Sequence, residues 1–428
     1  MTKRLRIGFV RRGYSPSGGA EAYLKRLARG VAEAGHDAQL ITTGEWPQNE
    51  WPFGAVRRLQ SGSPIGFANG LEQIRPQLHR DVLMALERVW NCDVYRAGDG
   101  VHRAWLARKR KFELPLERFV RGFNRKHRDI LQLEEALLAN RGAGRVIVNS
   151  HMVKNQIVDH FGYPADKIDI VRNGVPIQQF RFDTELREKA RDELKIKPDQ
   201  IALLFAGSGW ERKGLRFAIA AMALCRNRKM HLLVAGRGNQ RYYKSKRVKF
   251  LGEVDDLVRI YAAADIFILP TIYDPFSNAC LEALACGLPV ITTRDNGFNE
   301  IIEHGVHGSI ADSANDLMGL LRHSILVGCR AACRHKIDKQ SARSAVRYFN
   351  ECRPRAGDSG SGCGQRRIYV WKDPKYLIEP RDLENRTHCF LQVSQCKLAT
   401  VSFNLLHSFY QCRESRAVDV GDAGKIDN

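Results

Sequence analysis

Two carboxylates with seven residues between them, Asp274 and Glu282, stand in the string Tyr273-Asp274-Pro275-Phe276-Ser277-Asn278-Ala279-Cys280-Leu281-Glu282-Ala283-Leu284-Ala285-Cys286-Gly287-Leu288-Pro289-Val290. Asp265 to Leu269 before it is a short apolar run of strand type, closed by Pro270. Ser277 or Asn278 can cap a following helix, Gly287 suits the left-handed residue past its end, and Pro289 blocks continuation. Val290 to Thr293 then reads as the next strand. Asp274 thus lies in a loop at the carboxyl end of a strand, beside helix-start amides that suit an anion. Glu282 is expected two turns into the helix. The plain alternative is a surface acid plus a carboxylate in a helix ion pair; the whole string argues for a site.

Three further segments could do chemistry. Glu211-Arg212-Lys213-Gly214 falls between a strand over Ile201 to Ala206 and a helix over Leu215 to Cys225. Two cations at a helix start oppose the positive end of its dipole, and a bound anion removes that conflict. Gly98-Asp99-Gly100-Val101-His102-Arg103 follows a strand within Asn91 to Ala97, where a substrate-facing loop belongs. An Asp in a Gly-flanked turn and a histidine satisfied by backbone are the plain alternative there. Gly18-Gly19 lies between a strand over Arg6 to Val10 and a helix from about Ala20 to Ala34. Two glycines are by themselves often just a turn; at a ligand they let backbone amides approach closely.

These segments need a scaffold of alternating strands and helices, and the chain supplies one twice. At 428 residues it is long enough for two cores. The expected division is a first domain over 1–164, a linker over 165–176 containing Asn173-Gly174-Val175-Pro176, a second domain over 177–322, and an atypical tail over 323–428. The tail lacks sustained periodicity and reads as a frameshifted or foreign stretch, partly disordered. Seven of the eleven cysteines crowd into it with no C-x-x-C pair, while Cys92, Cys225, Cys280 and Cys286 read as small core residues. A secretory signal is not expected in Met1 to Arg12, whose apolar stretch is only Ile7 to Val10, and no stretch approaches bilayer-spanning length.

The acid, seven residues, Glu and then Ala-x-Ala-x-Gly-x-Pro-Val resembles the donor-site motif of the retaining family 4 glycosyltransferases. The resemblance implies an α/β protein of GT-B fold, two Rossmann-like domains facing across a cleft. It implies that Asp274, where the family usually has Glu, touches the transferred sugar and that Glu282 binds the ribose of a nucleotide. Gly18 and Gly19 would approach the donor diphosphate and sugar. Lys213 and Arg212, with helix amides around Phe276, Ser277 and Asn278, would hold the pyrophosphate. Many members carry the arginine just after the strand, where this chain has Ser208. Asp99 would orient the acceptor hydroxyl, and His102 would face the sugar. The Gly-Asp-Gly-x-His segment and Ser-Gly-x-x-Arg-Lys-Gly are most similar to bacterial transferases of lipopolysaccharide core assembly, such as the core α-1,3-glucosyltransferase. No cofactor and no metal are expected: D-x-D pairs are missing from the sequence, and so is G-x-G-x-x-G.

The formal charge of +21 implies an anionic partner. Arg103 to Arg128 is rich in Lys and Arg, and from Leu116 the apolar residues Phe119, Val120, Phe123, Ile130, Leu131, Leu137 and Leu138 recur at helical spacing. Part of this is a packed helix with a solvated face. The sharper reading sets the cations on anionic lipid or on a phosphorylated lipopolysaccharide core, at the inner face of the inner membrane in the cytoplasm. Nucleic acid is not expected, because aromatics are not interleaved as stacking platforms. The expected reaction moves glucose from a UDP-sugar to a lipopolysaccharide core saccharide. An O-antigen or capsule transferase, and an inactive nucleotide-sugar-binding protein, are the alternatives.

Overall fold

Buried apolar runs alternating with one-faced helices build two parallel sheets. In this computed structural model the described residues are 4–316 except 17, 61, 114–123, 226 and 244. The expected tail over 323–428 lies outside them. The first unit runs β1 (Arg6–Val10), α1 (Gly19–Glu33), β2 (Asp37–Thr43), β3 (Val56–Leu59), α2 (Pro64–Ile74), β4 (Val82–Ala85), β5 (Cys92–Arg96), α3 (His102–Arg110), α4 (Arg125–Leu138), β6 (Ala143–Val148), α5 (His151–Phe161) and β7 (Ile168–Ile170). Its sheet has the order β3-β2-β1-β4-β5-β6-β7. The second unit runs α6 (Thr184–Glu193), β8 (Ile201–Ala206), α7 (Leu215–Leu224), β9 (Met230–Ala235), β10 (Val248–Gly252), α8 (Leu257–Ala263), β11 (Ile266–Leu269), α9 (Asn278–Ala285), β12 (Val290–Thr293) and β13 (Gly308–Ala311), in the order β10-β9-β8-β11-β12-β13.

The sequence explains both. Leu24, Leu27, Ala28 and Val31 form the buried stripe of α1 at i, i+3, i+4, i+7 spacing. In β8 five of six residues are buried, as a parallel strand covered on both faces requires. Burying a side chain such as Phe205, which is 0% exposed, contributes about 1.5–3 kcal/mol. Each strand order reverses beside its first strand, at β1/β4 and β8/β11, and ligands bind outside the strand carboxyl ends at such points.

Four expectations are corrected. Ile168–Ile170 pairs with β6, so the first unit extends past 164 into the stretch read as linker. Helix α9 starts at Asn278 with Ser277 as its cap, which puts Glu282 little more than one turn in, not two. Asn124 is extended and caps α4, so no single helix runs from Leu116 through Leu138; residues 114–123 lie outside the described set. Several cations of the basic stretch are not a free face. Arg103 pairs with Glu135, Arg108 reaches Asp295 at 2.5 Å, and Lys109 reaches Glu211 at 3.1 Å.

The last two pairs join the units. Trp105 and Phe112 pack on the second unit's core. Tyr273 Oη accepts the Val101 N–H at 2.8 Å, and Ser150 Oγ donates to the Pro275 carbonyl at 2.8 Å. A methyl at Gly100 would stand 2.3 Å from that tyrosine oxygen, so only glycine allows the contact. Among the described residues no helix is long and apolar enough to cross a membrane.

Candidate active site

The loop after β8 turns at Gly207 (φ +133°) and Gly209 (φ +71°), and Gly214 (φ +78°) starts α7. Lys213 folds back over Gly207, where a methyl would stand 2.8 Å from its Cε. This brings Nζ to 3.2 Å from Asp274 Oδ2, both side chains being largely buried (13% and 7% exposed). The other oxygen, Asp274 Oδ1, accepts the Phe276 N–H at 3.3 Å. The acid is therefore engaged by the lysine. Arg212 donates through Nη1 to the Tyr273 carbonyl at 3.2 Å, and its charge acts across the cleft on Asp99.

At the start of α9 the expected donors divide. Ser277 Oγ caps the Cys280 N–H at 3.4 Å, while the Ser277 N–H is taken by Asn296 Oδ1 at 3.3 Å. The Phe276 ring is buried against Phe298. The Phe276 and Ser277 amides thus each have a partner within the protein, Asp274 and Asn296. Asn278 and Ala279 carry the next amides of the first turn. Asn278 Oδ1 accepts from Asn173 Nδ2 at 2.7 Å, and its Nδ2 faces Gly19, where a methyl would stand 3.4 Å away. A methyl at Gly18 would stand 1.8 Å from Glu21 Oε2, so that side chain would have to shift. The glycine loop and α9 meet across the cleft.

Glu282 is partly buried, with Oε2 accepting from the Tyr261 hydroxyl at 3.0 Å. Desolvation pushes its carboxyl up to about 7, against that hydrogen bond and the charges of Arg26 and Lys213. Arg26 stands on the exposed face of α1. No local signal marked it, since a surface arginine on a helix has no special spacing.

The first unit supplies Asp99 and His102. Asp99 opens to the cleft, and Arg11 Nη1 approaches it at 3.6 Å. Desolvation raises the cost of its charge, but Arg11, Arg88 and Arg212 outweigh that and hold the carboxyl below its ordinary value. Arg11 also meets Glu21 at 3.1 Å and Glu87 at 3.9 Å. His102 is the first residue of α3; it is buried, and its Nε2 lies 3.0 Å from His127 Nδ1. Desolvation, Arg88, His127 and Lys126 lower it to about 3, so the ring is neutral, and it is directed at α4. Buried Glu134 accepts the His102 and Arg103 N–H groups at 2.7 and 2.9 Å and pairs with Arg88 at 3.0 Å. The start of α3 is capped by protein.

Two family models match this chain: "Glycosyltransferase Family 4" over residues 17–179 and "Glycosyl transferases group 1" over residues 200–323. The fold and these matches define the class: the chain is a glycosyltransferase with the GT-B fold of group 1 and family 4. An uncharacterised glycosyltransferase of Methanocaldococcus jannaschii is 27% identical over 332 residues, 71% of this chain and 84% of that one. A D-inositol 3-phosphate glycosyltransferase of Pseudarthrobacter chlorophenolicus is 27% identical over 340 residues, 70% of this chain and 80% of that one. Among solved structures, WaaG, a glycosyltransferase involved in lipopolysaccharide biosynthesis, superposes with TM-score 0.67 at 20% identity, covering 81% of this chain and 95% of that one. Anabaena HepE in complex with UDP and glucose superposes with TM-score 0.59 at 21% identity, covering 80% and 95%.

Proposed function

We propose that the protein transfers glucose from UDP-glucose, with retention at the anomeric carbon, to a saccharide of the lipopolysaccharide core. The observation that carries this reading is the convergence of Lys213, Asp274 and Glu282 at the carboxyl ends of β8 and β11, opposite Gly19 and Arg26. The likeness to WaaG and to a UDP- and glucose-bound structure favours this donor and acceptor. In the reaction, negative charge grows on the departing diphosphate as the C1–O bond breaks, and Lys213 and Arg212 stabilise it together with the Asn278 and Ala279 amides. No metal ion is required for that task. Lys213 turning to the diphosphate frees Asp274, whose carboxylate then accepts hydrogen bonds from the sugar. Glu282 holds the ribose hydroxyls, and Asp99 orients the acceptor for attack on the same face. The protein works in the cytoplasm, peripheral to the inner membrane, where such acceptors are built.

Release of UDP from UDP-glucose, measured with and without purified core acceptor, tests this. Acceptor-dependent release that is lost in both Lys213→Ala and Glu282→Ala is expected; unchanged turnover in the two variants would discredit the site.

A further inference from the structure

The first unit holds a cationic pocket apart from the donor groups. It has a volume of about 400 Å³ and is lined by Arg12, Ser63, Pro64, Arg125, Lys126 and Asp129, among others. Arg12 follows the carboxyl end of β1, and Ser63 follows that of β3. Ser63 is the cap of α2, while Arg125 and Lys126 open α4, so two positive helix ends converge on one concavity. Three cationic side chains face one carboxylate there, Asp129, with Glu87 3.8 Å from Arg12 Nε. Among the described residues that Nε has the Glu87 ion pair but no hydrogen bond, and the exposed Arg125 and Lys126 form no ion pair. Two cations at a helix start are unfavourable unless an anion sits with them.

We propose that this pocket binds a phosphomonoester carried by the acceptor saccharide. The inference rests on the transferase reading above, since the pocket adjoins the expected acceptor loop. Arg11, next to Arg12, approaches Asp99 at 3.6 Å, and His127, next to Lys126, lies 3.0 Å from His102. A phosphate held by Arg12, Arg125 and Lys126 leaves its sugar near Asp99. The pocket has room for a phosphoryl group and part of a ring. A phosphate dianion offers three strong acceptor oxygens to three cationic donors, which a single carboxylate does not.

Calorimetry of the full chain with glucose 6-phosphate, glucose and UDP, repeated on Arg125→Ala/Lys126→Ala, tests the inference. A second arm compares transfer to core oligosaccharide before and after phosphatase treatment. Binding of glucose 6-phosphate in preference to glucose, or transfer that depends on the core phosphate, is expected, and the two arms tell a small phosphosugar from a phosphorylated polymer. The double variant should weaken the responding acceptor by about tenfold or more, with UDP affinity unchanged. UDP binding with no preference for phosphate in either arm, or a double variant equal to wild type, overturns it. Loss of UDP binding in the wild type indicts the donor site instead, separately from the phosphate result.

Discussion

Beside the Asp99 loop of the first unit two cations are matched by acids within the same unit: Arg88 by Glu134, and Arg11 by Glu21, Glu87 and Asp99. Across the cleft Lys213 has one ion-pair partner among the described residues, Asp274, and rests on a glycine rather than in a web. The first arrangement fixes geometry: Glu134 also holds the start of α3, and with it the Asp99 loop. The second can exchange its partner for a ligand at the cost of one ion pair. A wall that must position is over-connected; a wall that must bind keeps a replaceable contact.

Four changes would break or sharpen this contrast. The largest effect is expected for Lys213→Ala, which should lower kcat by roughly 10²–10³-fold by removing a cation aimed at developing charge. It also strands buried Asp274, so melting should fall, and Lys213→Ala/Asp274→Asn should restore stability without restoring turnover. Turnover that recovers with stability would show the pair to be structural.

Gly207→Ala should come next, with kcat/KM down about 100-fold, because the methyl displaces Lys213 and φ is +133°. Kinetics on a folded variant, checked by circular dichroism, decides this; wild-type rates would mean that the lysine's position is unimportant. On the opposite wall, Arg88→Ala should cost about 3–5 kcal/mol in urea unfolding by leaving Glu134 buried and unpaired. A small loss there would mean that the first wall is no firmer than the second.

The smallest effect concerns pH. Glu282 binds its proton more tightly in the folded chain, where its carboxyl stands at about 7, than in the unfolded chain, at about 4.3. Its contribution to stability is therefore full below that lower value and is lost as pH rises towards 7. UDP affinity should move the other way, improving from pH 6 to 8 as the carboxylate forms and accepts ribose hydroxyls more strongly. Glu282→Gln should flatten both profiles, by chemical denaturation and by calorimetry; unchanged slopes would remove Glu282 from the donor site.

Much of the second unit's site was legible because it is local. Ser277, Gly287 and Pro289 bound α9, and the spacing from Asp274 to Glu282 places both acids at one strand end. The two candidate caps, Ser277 and Asn278, shift the helix start by a single residue, so with either one Glu282 stands little more than one turn in. That Asp274 and Asn296 accept the Phe276 and Ser277 amides was not legible in the sequence. Arg26 and the Asn173–Asn278 bond were invisible for the same reason: they depend on how the two units meet.

The sequence alone determined the two α/β units, their order and the glycine, lysine and acid positions, because backbone conformation and burial periodicity are set over a few residues. Only the tertiary structure decided which charges neutralise each other, that His102 turns to His127, and that Lys213 rests on Asp274. Pairing of charges depends on distances between residues far apart in the chain, and those exist only once both sheets are packed.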